Sequence, residues 1–256
     1  MDNVVLDNKV NISKEKIITD ISFLLYLGAI IYGLFLVITN ADEFQKGLLI
    51  MVESFVGVLI SAILFLIKKY KNIKISASIL FFIHSFVIMA VIGEMFMLYY
   101  TVHWWDAMLH LFTGVGIAFT AYCIFDFLTR NSNLEHRFVV SLISALTMAL
   151  ALELLWEFAE FLVDTFFSSN MQKFIPDMPP FFNGGSSDKV LGGTDREIAD
   201  FFRNPEGYKY ALIDTMEDLI LNLIGTFTFG VICIFTHERF NNFYSSGFVN
   251  TNLQKE

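Results

Sequence analysis

Six apolar runs, each long enough to cross a lipid bilayer as a helix, constrain this 256-residue chain more than any other feature. Crossing about 30 Å of hydrocarbon takes about 20 apolar residues at 1.5 Å each. The runs lie at about 17–39, 48–67, 75–100, 105–127, 138–167 and 210–235. A soluble domain of this size must cover its surface with charge, yet 55% of these residues are hydrophobic and only 17% are charged. The expected fold is therefore an all-α, polytopic membrane helix bundle. The first run is too long for the apolar core of a signal peptide, so it reads as a span.

The only substantial polar segment between spans is 168–209. It carries Pro176, Pro179, Pro180, Gly184, Gly185, Gly192, Gly193 and Pro205, so it reads as a structured loop. Residues 1–16 read as a polar leader and 236–256 as a charged, disordered tail. The short connections set the orientation, because Lys and Arg collect on the cytoplasmic side. Lys9, Lys14 and Lys16 precede the first span, Lys68, Lys69, Lys71 and Lys74 follow the second, and Arg130 and Arg137 follow the fourth. Both termini are thus expected in the cytoplasm of a multi-pass cell-membrane protein, with 168–209 outside. Tyr99, Tyr100, Trp104 and Trp105 suit an aromatic belt at the outer interface.

Acidic residues inside the spans are the anomaly. The fourth span opens with Asp106 and His110, four residues apart and so on one helix face. The fifth carries Glu153, Glu157 and Glu160 in its outer half. The sixth repeats Asp214, Asp218 and Asn222 at intervals of four. With alternating directions, all three spans place these groups within about 15–20 Å of their outer ends. Glu94 and Glu53, on the third and second spans, reach a similar depth.

An ionised Asp near the centre of a spanning helix costs about +2.5 to +3.5 kcal/mol, so such groups turn inward and need partners. No Lys or Arg lies in the spans near the cluster. The compensating charge is left to His110, to a loop cation such as Arg196, Arg203 or Lys209, to a bound metal, or to protonation. Several carboxylates with one imidazole and one amide suit a divalent cation: oxygen-rich sets favour Mg, Ca or Mn, and an added His admits Zn or Fe. On that reading Asp106, His110, Glu157, Asp214 and Asp218 hold the ion. Asp106, His110 and Glu157 are the catalytic candidates, and Glu153, Asn222 and Asp214 the binding candidates. The same residues also fit two other readings: polar glue between helices, or a path for an ion or proton.

Other features are weaker. Cys123 and Cys233 form no CxxC pattern and read as small buried hydrophobes. His84 reads as a satisfied core histidine and Trp156 as packing. Gly114 and Gly225, each near a polar residue of the cluster, read as permits for close helix approach. Thr194, Asp195 and Arg196, in the stretch L-G-G-T-D-R-E-I-A-D, are candidates for a lid.

The pattern W-W-D-x-x-x-H-x-x-x-G at 104–114, E-x-x-x-E at 153–157 and D-x-x-x-D-x-x-x-N-x-x-G at 214–225 resembles the bacterial YjdF-like membrane proteins. It is more distantly similar to VanZ-like proteins, which share D-x-x-x-H, an acid on a middle helix and D-x-x-x-N-x-x-G. The likeness spans roughly 75–235. Gly193, Thr194 and Asp195 resemble the Gly-Thr stretch before the final helix of VanZ-like proteins, here with more residues intervening before Asp214. The resemblance implies a multi-pass bacterial envelope protein and supports Asp106, His110, Glu153 or Glu157, Asp214, Asp218 and Asn222 as site residues. It implies no particular reaction. The leading expectation is a cation-dependent activity on a lipid or envelope precursor in the outer leaflet. Transport and a non-catalytic scaffold are the alternatives, and nucleic acid is not an expected partner.

Overall fold

The computed structural model describes residues 2–40, 43–102, 104–167, 171–173 and 205–250, of which 2–13, 45, 100, 167 and 205–207 are described by their backbone alone. Its elements run in the order α1 (Asp2–Thr39), α2 (Phe44–Lys71), β1 (Ile73–Ile75), α3 (Ala77–Met95), α4 (Leu98–Thr101), α5 (Trp105–Thr129), α6 (Arg137–Phe167), α7 (Pro205–Ser245) and β2 (Phe248–Asn250). Among the described residues, six helices are long and apolar enough to cross a membrane, one for each apolar run of the sequence. Phe35, Phe55, Leu155, Phe158, Ile220 and Phe235, on four of these helices, are exposed, as lipid-facing side chains must be. The chain is a six-span helical membrane protein.

Several boundaries differ from the hydropathy runs, each for a local reason. The run 75–100 ends as a helix at Met95, because Met97 adopts a left-handed conformation (φ 57°) and starts the short α4. Ser76 caps α3, its side chain accepting from the Ile79 N–H at 3.4 Å. The last helix does not stop near 235. It continues to Ser245, with non-helical angles at Phe240, and the chain then pairs β2 antiparallel to β1, Ile75 opposite Phe248. The expected disordered tail is therefore ordered through Asn250. Its side chains explain why: Tyr244 and Phe248 are buried in the main apolar core with Phe119, Tyr122, Cys123 and Phe229. Arg130 reaches the Ser245 carbonyl at 2.7 Å while it and Arg137 each pair with the buried Asp126 at 3.1 Å.

Two pairs of glycines set the tightest helix crossings. Gly33 on α1 and Gly47 on α2 face each other so closely that a Cβ on either would stand 2.6 Å from the other's carbonyl oxygen. Gly114 on α5 and Gly225 on α7 do the same more severely. A Cβ at Gly225 would lie 2.1 Å from the Leu111 oxygen, and one at Gly114 2.3 Å from the Asn222 oxygen. Small residues let spanning helices approach until backbones touch. The α5–α7 crossing is the one that matters for the site, since His110 and Asn222 lie within a turn of it.

Candidate functional site: a buried carboxylate–imidazole centre

The centre is built at the shared end of α5, α6 and α7. His110, Glu153, Glu157, Glu160, Asp214, Asp218 and Asn222 are all buried, and Asp106 is partly so. Helix periodicity accounts for this: residues four apart project from one face, and on each helix that face points at the other two. The candidates read from the sequence therefore come together, though in different roles.

His110 stands in the middle. Its Nδ1 contacts Glu153 Oε1, and its Nε2 faces Asp106 Oδ1 at 3.5 Å and Asp218 Oδ2 at 3.6 Å. The other Glu153 oxygen accepts from Asn222 Nδ2 at 2.8 Å. Asn222 is fully buried; its amide nitrogen is also 3.4 Å from Thr113 Oγ1, and its carbonyl accepts from Thr226 Oγ1 at 3.2 Å. A chain of hydrogen bonds thus fixes Glu153, and Glu153 fixes the imidazole ring.

A cation that the sequence did not single out closes the end of the centre next to Asp106 and Asp214. Lys173 Nζ lies 2.5 Å from Asp106 Oδ2 and 2.7 Å from Asp214 Oδ1. Burial works against the charged ammonium, but the carboxylates of Asp106 and Asp214 outweigh it and hold Lys173 above its ordinary range. The backbone presents it deliberately. Asp164 Oδ1 and Oδ2 accept the N–H groups of Met171 and Gln172 at 2.8 and 2.9 Å, and Gln172 Nε2 donates to Thr215 Oγ1 at 2.9 Å. Lys173 itself sits at φ 47°. Asp164 continues the stripe Glu153–Glu157–Glu160 by one more turn, a signal the sequence did contain. Of the loop cations named from the sequence, Lys209 is exposed on α7, and Arg196 and Arg203 lie outside the described residues, as do Thr194 and Asp195.

Glu157 is the exception to this order. It is 3% exposed, and neither carboxylate oxygen completes a hydrogen bond of good geometry among the described residues, although the Thr215 hydroxyl on α7 stands beside it. One of its oxygens, one from Glu153 and a His110 nitrogen lie within 4.8 Å of one another. Asp106, His110 and Asp218 form a second such group. Beyond them, Tyr99 on α4 is surrounded by Glu53, Glu94, Asp106 and Glu160. Burial, and then these four carboxylates, push its phenol well above the usual range. Glu94 is buried, and Glu53 leaves one oxygen without a partner among the described residues. His84 is only half satisfied: Tyr26 Oη lies 3.1 Å from its Nδ1, and Nε2 has no partner among the described residues. Trp156 is 48% exposed, turned away from the centre.

Fold and centre together define a polytopic helical membrane protein with a buried cluster of acidic side chains around one histidine. The chain belongs to the family described as predicted membrane protein (DUF2238), whose model matches residues 23–239, from within α1 to near the end of α7. No curated protein and no solved structure matches it.

Proposed function

We propose that this protein binds one divalent cation at Asp106, His110 and Asp218 and uses it on a lipid or envelope precursor at the outer leaflet. The observation carrying the proposal is the buried Glu157 carboxylate, whose oxygens complete no well-formed hydrogen bond among the described residues, beside an imidazole already oriented by Glu153. A buried carboxylate so poorly satisfied costs free energy that a bound ligand or water would offset.

The geometry supports the ion at the Nε2 side. Distances of 3.5 and 3.6 Å from Nε2 to two carboxylate oxygens are too long for good hydrogen bonds. They are close to the roughly 3.4 Å that separates two ligands placed about 2.1 Å from one ion at a tetrahedral angle. A carboxylate on Nδ1 fixes the tautomer that leaves Nε2 free to ligate and raises its basicity. Asn222 in turn holds that carboxylate. The ion would polarise a phosphoryl or carbonyl oxygen, and Glu157 would accept the proton of an attacking water.

Transport has less support. Below Thr226 the interior passes into Ala118, Phe119 and Phe229, an apolar layer ahead of the Tyr122–His237 pair. In this proposal the termini are cytoplasmic, from the Lys and Arg of the short connections, and the membrane is the cell membrane, in keeping with the bacterial envelope protein that the resemblance implies. A phosphatase-fusion reporter active at residue 190 supports that orientation, and one active only at the C-terminus refutes it.

Calorimetric titration of the metal-stripped protein with Mn²⁺ tests the centre. One ion per chain is expected. Glu153→Gln, which keeps the shape but loses the negative charge behind the imidazole, weakens binding by about 10–100-fold. No binding by the wild type, or unchanged affinity in Glu153→Gln, rejects the proposed arrangement.

A further inference from the structure

We infer that Lys173 stands in the second-ion position of a two-cation centre, a tethered ammonium where a second divalent ion would otherwise bind. This rests on the reading that a first ion sits at Asp106, His110 and Asp218. Asp106 then has a separate task for each oxygen: Oδ1 faces His110 Nε2 and Oδ2 faces Lys173 Nζ. One carboxylate spanning two cationic positions is the arrangement of two-metal sites, whose ions lie about 3.5–4 Å apart. Asp214 completes the second position, 2.7 Å from the same ammonium. The two oxygens converge on Nζ as ligands converge on an ion.

The lysine is held there by construction. Asp164 accepts two successive backbone N–H groups and Gln172 is tied to Thr215, so the three residues 171–173 are pinned to α6 and α7. The side chain of Lys173 is 33% exposed, and Asp106 and Asp214 are its only ion pairs among the described residues. It therefore supplies one fixed positive charge beside the first ion. In a two-ion site the second metal would supply that charge and would exchange with solvent. The protein keeps the electrostatic help and loses the dependence on a second ion.

Metal stoichiometry tests this. Wild type is expected to bind one Mn²⁺ per chain. Lys173→Met is expected to bind two, with the spin-coupled electron paramagnetic resonance spectrum of neighbouring ions, while Lys173→Arg stays at one. If the wild type binds one ion and Lys173→Met also binds one, Asp214 has simply become neutral and the second-ion assignment is wrong, although the first site stands. If the wild type binds none, it is the first site that fails. A measurement on the wild-type sequence covers the case in which Lys173→Met does not fold. Acylation of the Lys173 amine after folding, confirmed by mass spectrometry, removes the ammonium and should raise the stoichiometry from one Mn²⁺ per chain to two. Acylated protein that still binds one ion overturns the inference.

Discussion

Gly225→Ala collapses the thermal stability of the protein in detergent, lowering its melting temperature by roughly 10 °C, and removes its metal binding. The added methyl would sit 2.1 Å from the Leu111 carbonyl oxygen and 3.2 Å from the Val115 nitrogen, both backbone atoms that no rotamer change can move. Overpacking of this kind costs about 1–3 kcal/mol, and more when the obstacle is rigid. For a chain of this size each kcal/mol shifts the midpoint by about 2–4 °C. To relieve the clash α5 and α7 must separate, and that separation pulls Asp106 and His110 away from Asp218 and Asn222. Gly114→Ala should behave alike, since its Cβ would meet the Asn222 oxygen at 2.3 Å. Gly28→Ala is the control: nothing lies within 4 Å of its Cβ, and Ala is the better helix former. A Gly225→Ala protein that melts with the wild type would show that the crossing is looser than described.

Asp106→Ala and Asp218→Ala are each expected to abolish binding of the proposed ion while leaving the protein folded. Both carboxylates face the same imidazole nitrogen, and removing either leaves a site of two ligands. The loss should exceed the 10–100-fold that removal of an outer-shell partner costs. Folding survives for different reasons in the two cases. In Asp218→Ala, Lys173 keeps both of its partners; in Asp106→Ala it keeps Asp214. Elemental analysis of the purified proteins reads the loss, and an unchanged size-exclusion profile with a melting temperature within a few degrees of wild type reads the fold. Retention of stoichiometric metal by either variant places the ion elsewhere. A matched fall in melting temperature without metal in any sample instead makes the acids helix-to-helix glue.

The spans were legible because the lipid interior leaves a chain few options. Backbone groups must be satisfied within each segment, so length and hydropathy alone mark the helices. The acids were legible by the same token: Asp106, Glu153, Glu157, Asp214 and Asp218 stand out because hydrocarbon penalises them, and the four-residue spacing puts each set on one face. Even the glycine crossing could be read, since Gly114 and Gly225 lie a turn beyond His110 and Asn222.

What the sequence hid was the division of labour. Lys173 sits in a loop among other basic residues, and nothing local distinguishes it from Arg196 or Lys209. Its position depends on a left-handed backbone angle and on Asp164, which accepts two N–H groups seven and eight residues further along the chain. That is tertiary information. The separation of Glu153 from Glu157 was equally hidden. Both lie on one face of α6, but Asn222 reaches only Glu153, leaving Glu157 with no well-formed hydrogen bond among the described residues. At the other end, the cluster His237, Glu238 and Arg239 ended the apolar run and concealed a helix that continues to Ser245. There Tyr244 and Phe248 pack against a core that belongs to other spans.

Pulsed electron paramagnetic resonance of the Mn²⁺-loaded wild type tests the central claim most directly. The account predicts hyperfine coupling to a single imidazole nitrogen, lost in His110→Gln while the solvent-proton couplings of the ion persist or the ion itself is released. A bound ion with no nitrogen coupling, or a nitrogen coupling that survives His110→Gln, would contradict it.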